Sequence, residues 1–283
     1  MIFPVLNGAL MVLLCVGFLY PIVYTVSVSL SDARSILSGE VYLLPKGLNL
    51  VAYQTLFMDK SIVRAFFFTF RVTLVGIAVS LCVTTLLAYP LSRRDLRGGW
   101  AVMLLVVFTM YFSGGLIPYY ILMKKLALLN TMWVLVLPGV DTFLLIVMVS
   151  YMRGIPKELQ EAATVEGCGN TGILLRIVIP LSIPIIATLT IFYSVGLWNM
   201  FYRAFIFISD SRKATLQVKL YQVLNLMTDQ LIQQSGNIDL YQRAIPENIK
   251  AATVVVAVGP IILVYPFLQD YFIKGITIGS LKG

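Results

Sequence analysis

Long apolar runs separated by short polar stretches form the pattern of this chain. A helix needs about 20 mostly apolar residues to cross the hydrocarbon core of a bilayer, and several runs reach that length. The pattern therefore predicts an all-α integral membrane protein with six transmembrane helices, at about 3–30, 64–91, 100–123, 131–152, 179–208 and 249–272. The stretches at about 31–63, 124–130 and 209–248 are predicted to be loops on the outer side of the membrane.

Composition agrees with a membrane protein. Hydrophobic residues make up 59% of the 283 residues and charged residues only 12%, which is more apolar than a soluble globular domain. The first run has neither a basic region before it nor a small-residue cleavage site, so it is interpreted as a retained helix. Because no linker or repeat divides the chain, it is treated as one transmembrane domain over residues 1–283, with core spans at about 64–272.

Basic residues in the short loops indicate which side of the membrane is cytoplasmic. Arg93, Arg94 and Arg97 lie together between two predicted spans, as the positive-inside rule expects of a cytoplasmic loop. The formal net charge of +8 does not indicate a nucleic-acid partner, because the basic residues are spread over loops and no basic patch with stacking aromatics is present.

Several kinds of chemistry are excluded by the residue inventory. The chain has no histidine, and Cys15, Cys82 and Cys168 are far apart, so neither a metal site nor a Ser-His-Asp centre is predicted. No GxxxxGK[ST] phosphate loop occurs, so the chain is not expected to hydrolyse ATP itself.

A polar, helix-prone insert interrupts the apolar pattern at about 153–178. Glu158 and Glu161 favour the positive N-terminal end of a short helix. Ala162 and Ala163 combine high helix propensity with little bulk, so a partner can approach that face closely. Taken alone, the insert also fits an ordinary interfacial helix packed against headgroups.

The end of this helix and the start of the next one are also predicted. Gly167 can end a helix with a positive φ at no steric cost. Asn170 and Thr171 can cap the following helix. The result is a helix–turn–helix that leads back into the membrane.

The insert has the spacing of a known motif. Residues 161–167 read Glu-Ala-Ala-Thr-Val-Glu-Gly, and residues 177–181 read Ile-Val-Ile-Pro-Leu. This arrangement resembles the EAA loop of permease subunits in binding-protein-dependent ABC importers. Residues 198–199 (Trp-Asn) and the tail at 273–283 resemble maltose-type carbohydrate permeases, and the chain looks closest to permeases for complex, often uronate-bearing, oligosaccharides.

The resemblance implies a type I ABC importer permease fold, in which the insert is a coupling helix that docks on a cytoplasmic ATPase. It implies as partners a second homologous permease, two ATPase copies, an extracytoplasmic sugar-binding protein and membrane lipid. No cofactor is expected on this chain, because ATP and Mg would be used by the ATPase. The residues implied for coupling are Glu158, Glu161, Ala162, Ala163, Glu166, Gly167, Lys282 and Gly283.

A substrate path is predicted from polar and aromatic residues in the spans. Asp141 is predicted to be mid-span, where an ionisable residue usually faces a cavity or a partner. Sugar sites combine stacking faces with hydrogen-bonding groups, although aromatic belts and core packing use the same residues. The predicted path residues are Asp141, Tyr193, Trp198, Asn199 and Tyr119.

Three further hypotheses complete the interpretation. An acidic substrate is suggested by basic residues near the predicted outer mouth, namely Lys124, Lys125, Arg203, Arg212 and Lys213. A transporter driven by an ion gradient would use Asp141 as its coupling carboxylate, but the chain lacks an internal repeat. A membrane enzyme acting on lipid-linked sugars would need a catalytic cluster, and none occurs at suitable spacing.

Overall fold

The computed structural model describes residues 2–137, 139–226 and 245–280, and the regular secondary structure within them is helical. This agrees with the predicted all-α class. A π-helix (Leu174–Val178) separates α10 from α11, and a 3₁₀ turn (Ser211–Lys213) precedes α14. The α-helices are α1 (Ile2–Ser29), α2 (Ala33–Leu37), α3 (Val51–Met58), α4 (Lys60–Ser92), α5 (Gly99–Tyr111), α6 (Leu116–Lys125), α7 (Trp133–Val136), α8 (Thr142–Arg153), α9 (Lys157–Val165), α10 (Asn170–Ile173), α11 (Ile179–Leu181), α12 (Ile183–Trp198), α13 (Tyr202–Phe207), α14 (Leu216–Leu226) and α15 (Pro246–Ser280).

Three stretches in the described part of the chain are long and apolar enough to cross a membrane as single helices: Phe3–Ser29, Lys60–Ser92 and Pro246–Leu263. Two bent pairs also qualify. Helices α5 and α6 meet at 113°, and the segment Asn170–Leu181 meets α12 at 77°. Counting each bent pair as one span gives up to five.

The third, fourth and fifth predicted spans are each interrupted in the structure. The third breaks before α6 at Gly115, where φ is +81°, a region that glycine enters without steric cost. The fourth is interrupted between Val136 and Thr142. The fifth bends at Ser182, because the next helix begins there with Pro184 in its first turn.

Two further boundaries differ from the prediction. The predicted outer loops at about 31–63 and 209–248 contain α2, α3 and α14. Helix α15 continues to Ser280, so the predicted tail at 273–283 is helical up to that residue. Lys282 and Gly283 lie outside the described residues, and their role stays a prediction.

The chain divides into two compact units, and its treatment as one domain stays a prediction. The first comprises Met1–Phe67 and Thr215–Leu263. Within it, Val28, Val41 and Ala251 form an apolar cluster. Gly47 has a φ of +61°, and a Cβ there would lie 2.5 Å from a carboxylate oxygen of Asp32, so this turn requires glycine.

The second unit comprises Phe68–Ala214 and Val264–Gly283. Its core joins the inner half of α4 to α8, to the helix pair at residues 157–181 and to α12. Leu145, Met148, Ile173 and Leu189 are fully buried at its centre. The core therefore packs the polar insert directly against the membrane helices of the same unit.

Candidate functional site

Helix α9 ends in the way that the sequence predicts. Glu166 is its C-cap, and Gly167 follows with a φ of +83°. The backbone N–H of Gly167 donates to the carbonyl of Thr164 at 3.0 Å, and that of Cys168 donates to Ala163 at 2.9 Å. These two bonds are the Schellman pattern, in which a left-handed residue satisfies the last carbonyls of a helix. The helix–turn–helix prediction is confirmed.

The two alanines of the motif do not share a face of α9. Ala162 is exposed, whereas Ala163 is only 8% exposed and belongs to the core. Neighbouring positions on a helix point about 100° apart, so one face cannot present both. The expectation that a partner approaches a common alanine face is therefore wrong, and Ala163 contacts its own chain.

The exposed face of α9 contains a residue that the sequence reasoning missed. Val165 is 89% exposed, which is unusual for a large apolar side chain. It lies three positions after Ala162 and seven after Glu158, a spacing that puts all three on one face. Glu161 and Glu166 are also exposed. This face, defined by Glu158, Ala162 and Val165, is the exposed face of α9.

The start of α10 differs from the prediction. Its N-cap is Gly169, and neither Asn170 nor Thr171 caps it. The Asn170 carboxamide oxygen instead accepts a hydrogen bond of 2.6 Å from Nη1 of Arg93, which follows the end of α4. A side chain expected to serve its own helix therefore connects two distant parts of the unit.

Arg93 is held in place by a second partner. Its Nε and Nη2 atoms donate to the two carboxylate oxygens of Asp95 at 3.0 and 2.8 Å. This bidentate bond raises the pKa of the Arg93 guanidinium and lowers the pKa of Asp95 below its ordinary value. The guanidinium thus stays charged, with its plane fixed by Asp95 while Nη1 points to Asn170.

The other flank of α9 is also tied to the end of α4. Arg153, the last residue of α8, donates from Nη2 to the carbonyl of Leu91 at 3.0 Å. That carbonyl is one of the last in α4, where carbonyls lack helical partners. The segment that contains α9 is therefore attached to α4 both before and after the helix.

A cavity of about 660 Å³ lies in the same unit. Its wall is formed by one residue of α4, by the break before α8, and by the end of α12 together with the residues that follow α12. The polar members of this wall are Ser80, Asp141, Tyr193, Asn199, Tyr202 and Arg203.

Tyr193 links three elements at the edge of this cavity. Its hydroxyl lies 2.7 Å from the Thr84 hydroxyl on α4 and accepts the backbone N–H of Asp141 at 3.2 Å. The Asp141 carboxylate accepts from the N–H of Leu144 at 3.0 Å and so caps α8. Asp141 was predicted to be mid-span, and the structure places it at the N-cap where α8 begins after a break in that span.

The cavity brings together part of the predicted substrate path. Asp141, Tyr193 and Asn199 line it, whereas Trp198 is buried at 6% exposure and Tyr119 lies elsewhere, with its hydroxyl on the carbonyl of Leu137 at 3.3 Å. Trp198, on the last turn of α12, is therefore not part of the cavity wall to which its neighbour Asn199 belongs.

Arg203 is a cationic group in the cavity wall. It is half-buried, and its Nη1 donates to the carbonyl of Leu135 at 3.3 Å. Among the described residues its guanidinium makes this one hydrogen bond, so most of its donors are available to bind an anionic or polar ligand. The sequence placed Arg203 only near the outer mouth, because residues 199–203 look like part of a continuous apolar run.

These features describe a helical membrane protein with a polar helix–turn–helix insert and a polar-lined cavity. The sequence profile of the family described as "Binding-protein-dependent transport system inner membrane component" matches residues 50–278. The chain belongs to this family, so it is an inner-membrane component of a binding-protein-dependent transport system. The predicted family and its fold are confirmed.

The chain is similar to several curated proteins. It is 41% identical to Protein LplC of Bacillus subtilis (strain 168) over 266 residues, which cover 93% of this chain and 89% of LplC. It is 38% identical to the "Polygalacturonan/rhamnogalacturonan transport system permease protein YtcP" of the same strain, over 96% of this chain and 94% of YtcP.

A solved structure matches along nearly the whole chain. It is described as the crystal structure of a bacterial ABC transporter involved in the import of the acidic polysaccharide alginate. The match has a TM-score of 0.88 and 30% identity, and it covers 96% of each chain. The permease fold predicted from the sequence is therefore confirmed, and the comparisons give no support to the transporter driven by an ion gradient.

Proposed function

We propose that this chain is the permease subunit of an importer for oligosaccharides. The observation that supports this most is the similarity to the alginate importer, which extends over 96% of both chains. The second support is that YtcP, 38% identical, is named for transport of polygalacturonan and rhamnogalacturonan. A continuous similarity of this extent includes the residues that line the cavity as well as the helices that frame it.

The importer would contain three kinds of partner. A second homologous permease completes the membrane part, two copies of a cytoplasmic ATPase supply energy, and an extracytoplasmic binding protein delivers the sugar. The family description supports the dependence on a binding protein. The exposed face of α9 supports an ATPase contact, since Glu158, Ala162 and Val165 lie on a face of the helix that its own chain leaves uncovered. ATP and Mg²⁺ would be bound by the ATPase and not by this chain.

The mechanism follows from where α9 is attached. ATP-driven closure of the ATPase pair moves the coupling helices of the two permeases together and opens the cavity to the outside. The binding protein then releases sugar into the cavity, and hydrolysis returns the cavity to the inward state. In this chain the moving part is the segment that contains α9, because Arg153 before it and Asn170 after it are bonded to the end of α4 and to the residue that follows.

The substrate is proposed to be acidic. Arg203 lines the cavity with most of its donors free, and a guanidinium binds a carboxylate with two parallel hydrogen bonds. Asn199 and Tyr202 add groups that can bind sugar hydroxyls. The substrates named for YtcP and for the alginate importer point in the same direction.

Uptake by cells and by vesicles tests the proposal. A host strain that lacks this gene is expected to lose uptake of labelled oligogalacturonate, and the wild-type gene is expected to restore it. The Gly167→Trp variant should not restore uptake, although the binding protein still binds sugar. Restored uptake with Gly167→Trp would contradict the role of the coupling helix.

A second measurement separates the substrate classes and the energy source. In liposomes, the complete importer should hydrolyse ATP faster with oligogalacturonate than with a neutral malto-oligosaccharide of equal length. Stimulation by the neutral sugar alone would contradict the acidic assignment. The chain alone, given a proton or sodium gradient, is expected to transport neither sugar, and gradient-driven uptake would favour the secondary transporter.

A further inference from the structure

We infer that Arg93, Asp95 and Asn170, here called the clasp, transmit the movement of α9 to α4. The inference rests on the proposed function, because it assumes that a partner ATPase moves α9. It assigns to Arg93 the role of a positioning residue, which acts through Asn170 and touches no substrate.

The contacts of the clasp place it where such transmission is needed. Arg93 is the first residue after α4, and Asn170 is the first residue of the helix after α9. Their hydrogen bond of 2.6 Å joins positions 77 residues apart. Together with the bond from Arg153 to Leu91 it gives α9 two attachments to α4, so α9 cannot pivot about one point without pulling on the helix end.

The clasp is built for orientation more than for stability. The Asp95 side chain is 69% exposed, and exposed ion pairs contribute little to the free energy of unfolding. Asp95 nevertheless fixes the guanidinium plane through two bonds, and a planar guanidinium loses little freedom on forming them. The remaining Nη1 is then aimed at Asn170, which makes the connection directional.

Helix α4 can deliver this movement to the cavity. It runs from Lys60 to Ser92 with Pro90 in its last turn, so the bonds at Leu91 and Arg93 act on the end of the helix that also contains Ser80 and Thr84. Within the same unit, Ser80 of α4 lines the cavity and Thr84 is bonded to Tyr193. A displacement at the clasp thus reaches one cavity wall directly and α12 through a hydrogen bond.

A single-cysteine reporter tests the inference in the complete importer. Cys15, Cys82 and Cys168 are replaced by serine, and Ser80→Cys is introduced as a small change in the cavity wall. The complex is placed in lipid nanodiscs and labelled with a maleimide, with and without ATP and vanadate. In this parent the labelling rate is expected to change about fivefold or more, the lower range of ordinary coupling between sites.

Four variants separate the clasp from general effects of substitution. Asn170→Leu and Arg93→Ala should reduce the nucleotide-dependent change to less than about twofold, below the ordinary coupling range. Asn170→Asp should keep the change, because a carboxylate oxygen accepts the same bond. Arg94→Ala should also keep it. The Arg94→Ala substitution removes the same charge as Arg93→Ala, but the Arg94 side chain forms no hydrogen bond or ion pair in the described part of the chain.

Defined outcomes overturn the inference. It fails if Asn170→Leu and Arg93→Ala keep the parent's change, if Arg94→Ala loses it equally, or if the parent shows none. If Asn170→Leu does not assemble, as judged by gel filtration, Asp95→Ala at an exposed position is used in its place and should reduce the change. Because only nucleotide is added, a wrong sugar assignment leaves this measurement unaffected.

Discussion

The hydroxyls of Thr84 and Tyr193 lie 2.7 Å apart between α4 and α12, and both side chains are buried. The same Tyr193 oxygen accepts the backbone N–H of Asp141 at the break before α8. One phenolic oxygen therefore satisfies polar groups from two other elements in an apolar unit, where unpaired groups are costly. This bond also sets the distance between two walls of the cavity.

Tyr193→Phe is expected to destabilise the protein by about 1–3 kcal/mol, because it leaves the Thr84 hydroxyl and an N–H group without their partner. Thermal unfolding of the complex in detergent measures the loss. Tyr202→Phe, which also removes a phenolic oxygen of the cavity wall but at an exposed position, should leave the melting temperature unchanged. Thr84→Val combined with Tyr193→Phe should cost less than the sum of the two, and strict additivity would contradict the shared bond.

Gly167→Ala is expected to reduce transport, because a side chain in the left-handed region costs about 1–2 kcal/mol and distorts the end of α9. Gly169→Ala is a matched control. Both positions have open space for a Cβ, but Gly169 has a φ of −74°. Gly167→Asn should retain more uptake than Gly167→Ala, since asparagine tolerates this region. Equal losses at both glycines would show that φ is not the cause.

Ala162→Trp and Ala163→Trp should fail for different reasons. Ala162 is exposed, so the indole of a tryptophan at this position would prevent the ATPase from binding. The melting temperature of the purified permease should stay unchanged. Ala163 lies in the core, so overpacking there should cost about 1–3 kcal/mol. Co-purification of the ATPase and thermal unfolding distinguish the two. Normal ATPase recovery with Ala162→Trp would contradict the assigned docking face.

Arg203→Gln is expected to raise the KM for transport of an acidic oligosaccharide about tenfold, the effect of losing a charge-assisted hydrogen bond. Transport of a neutral oligosaccharide should not change in the same way. Arg212→Gln is the control, because Arg212 is exposed and bonds to Asp210 in a 3₁₀ turn outside the cavity. An equal rise in KM for both sugars would contradict recognition of a carboxylate by Arg203.

The clasp should be insensitive to pH in the neutral range. Hydrogen bonding to Arg93 lowers the pKa of Asp95 from its ordinary value of 3.8. A lowered carboxyl pKa gives an interaction that is fully present above the ordinary value and is lost as pH falls through the folded-state value. The ratio of the Ser80→Cys labelling rates with and without nucleotide should thus be constant between about pH 6 and 8, although both rates rise with pH because the thiolate is the reacting form. A decline of the nucleotide-dependent change across this pH range, if Asp95→Asn abolished that decline, would contradict the predicted insensitivity of the clasp to pH.

The features of the site that depend only on residues adjacent in the sequence could be predicted from the sequence. Gly167 ends α9 because its φ is a local property of the chain. The long-range part could not be predicted in the same way. Asn170 looks like a cap residue in its local context, and nothing near it in the sequence indicates that its oxygen binds an arginine 77 positions away.

The breaks in the predicted spans show a second limit. Hydropathy measures how apolar a stretch is, and it stays high through the turns at Gly115 and Ser182. Asp141 did stand out as a charge in an apolar stretch, but its role in beginning α8 follows from backbone geometry. The cavity residues Asn199 and Arg203 lie where α12 has already ended, inside a stretch predicted to be one span.

The length of α4 has a consequence for the membrane around the protein. At about 1.5 Å per residue, its 33 residues form a rod of about 50 Å, against a hydrocarbon core of about 30 Å. Such a rod can tilt or slide to match the lipid, at a cost of fractions of a kcal/mol for each ångström of mismatch. We therefore expect bilayer thickness to influence the tilt of the helix that ends beside Arg93, so that the fatty-acid composition of the host membrane affects this subunit.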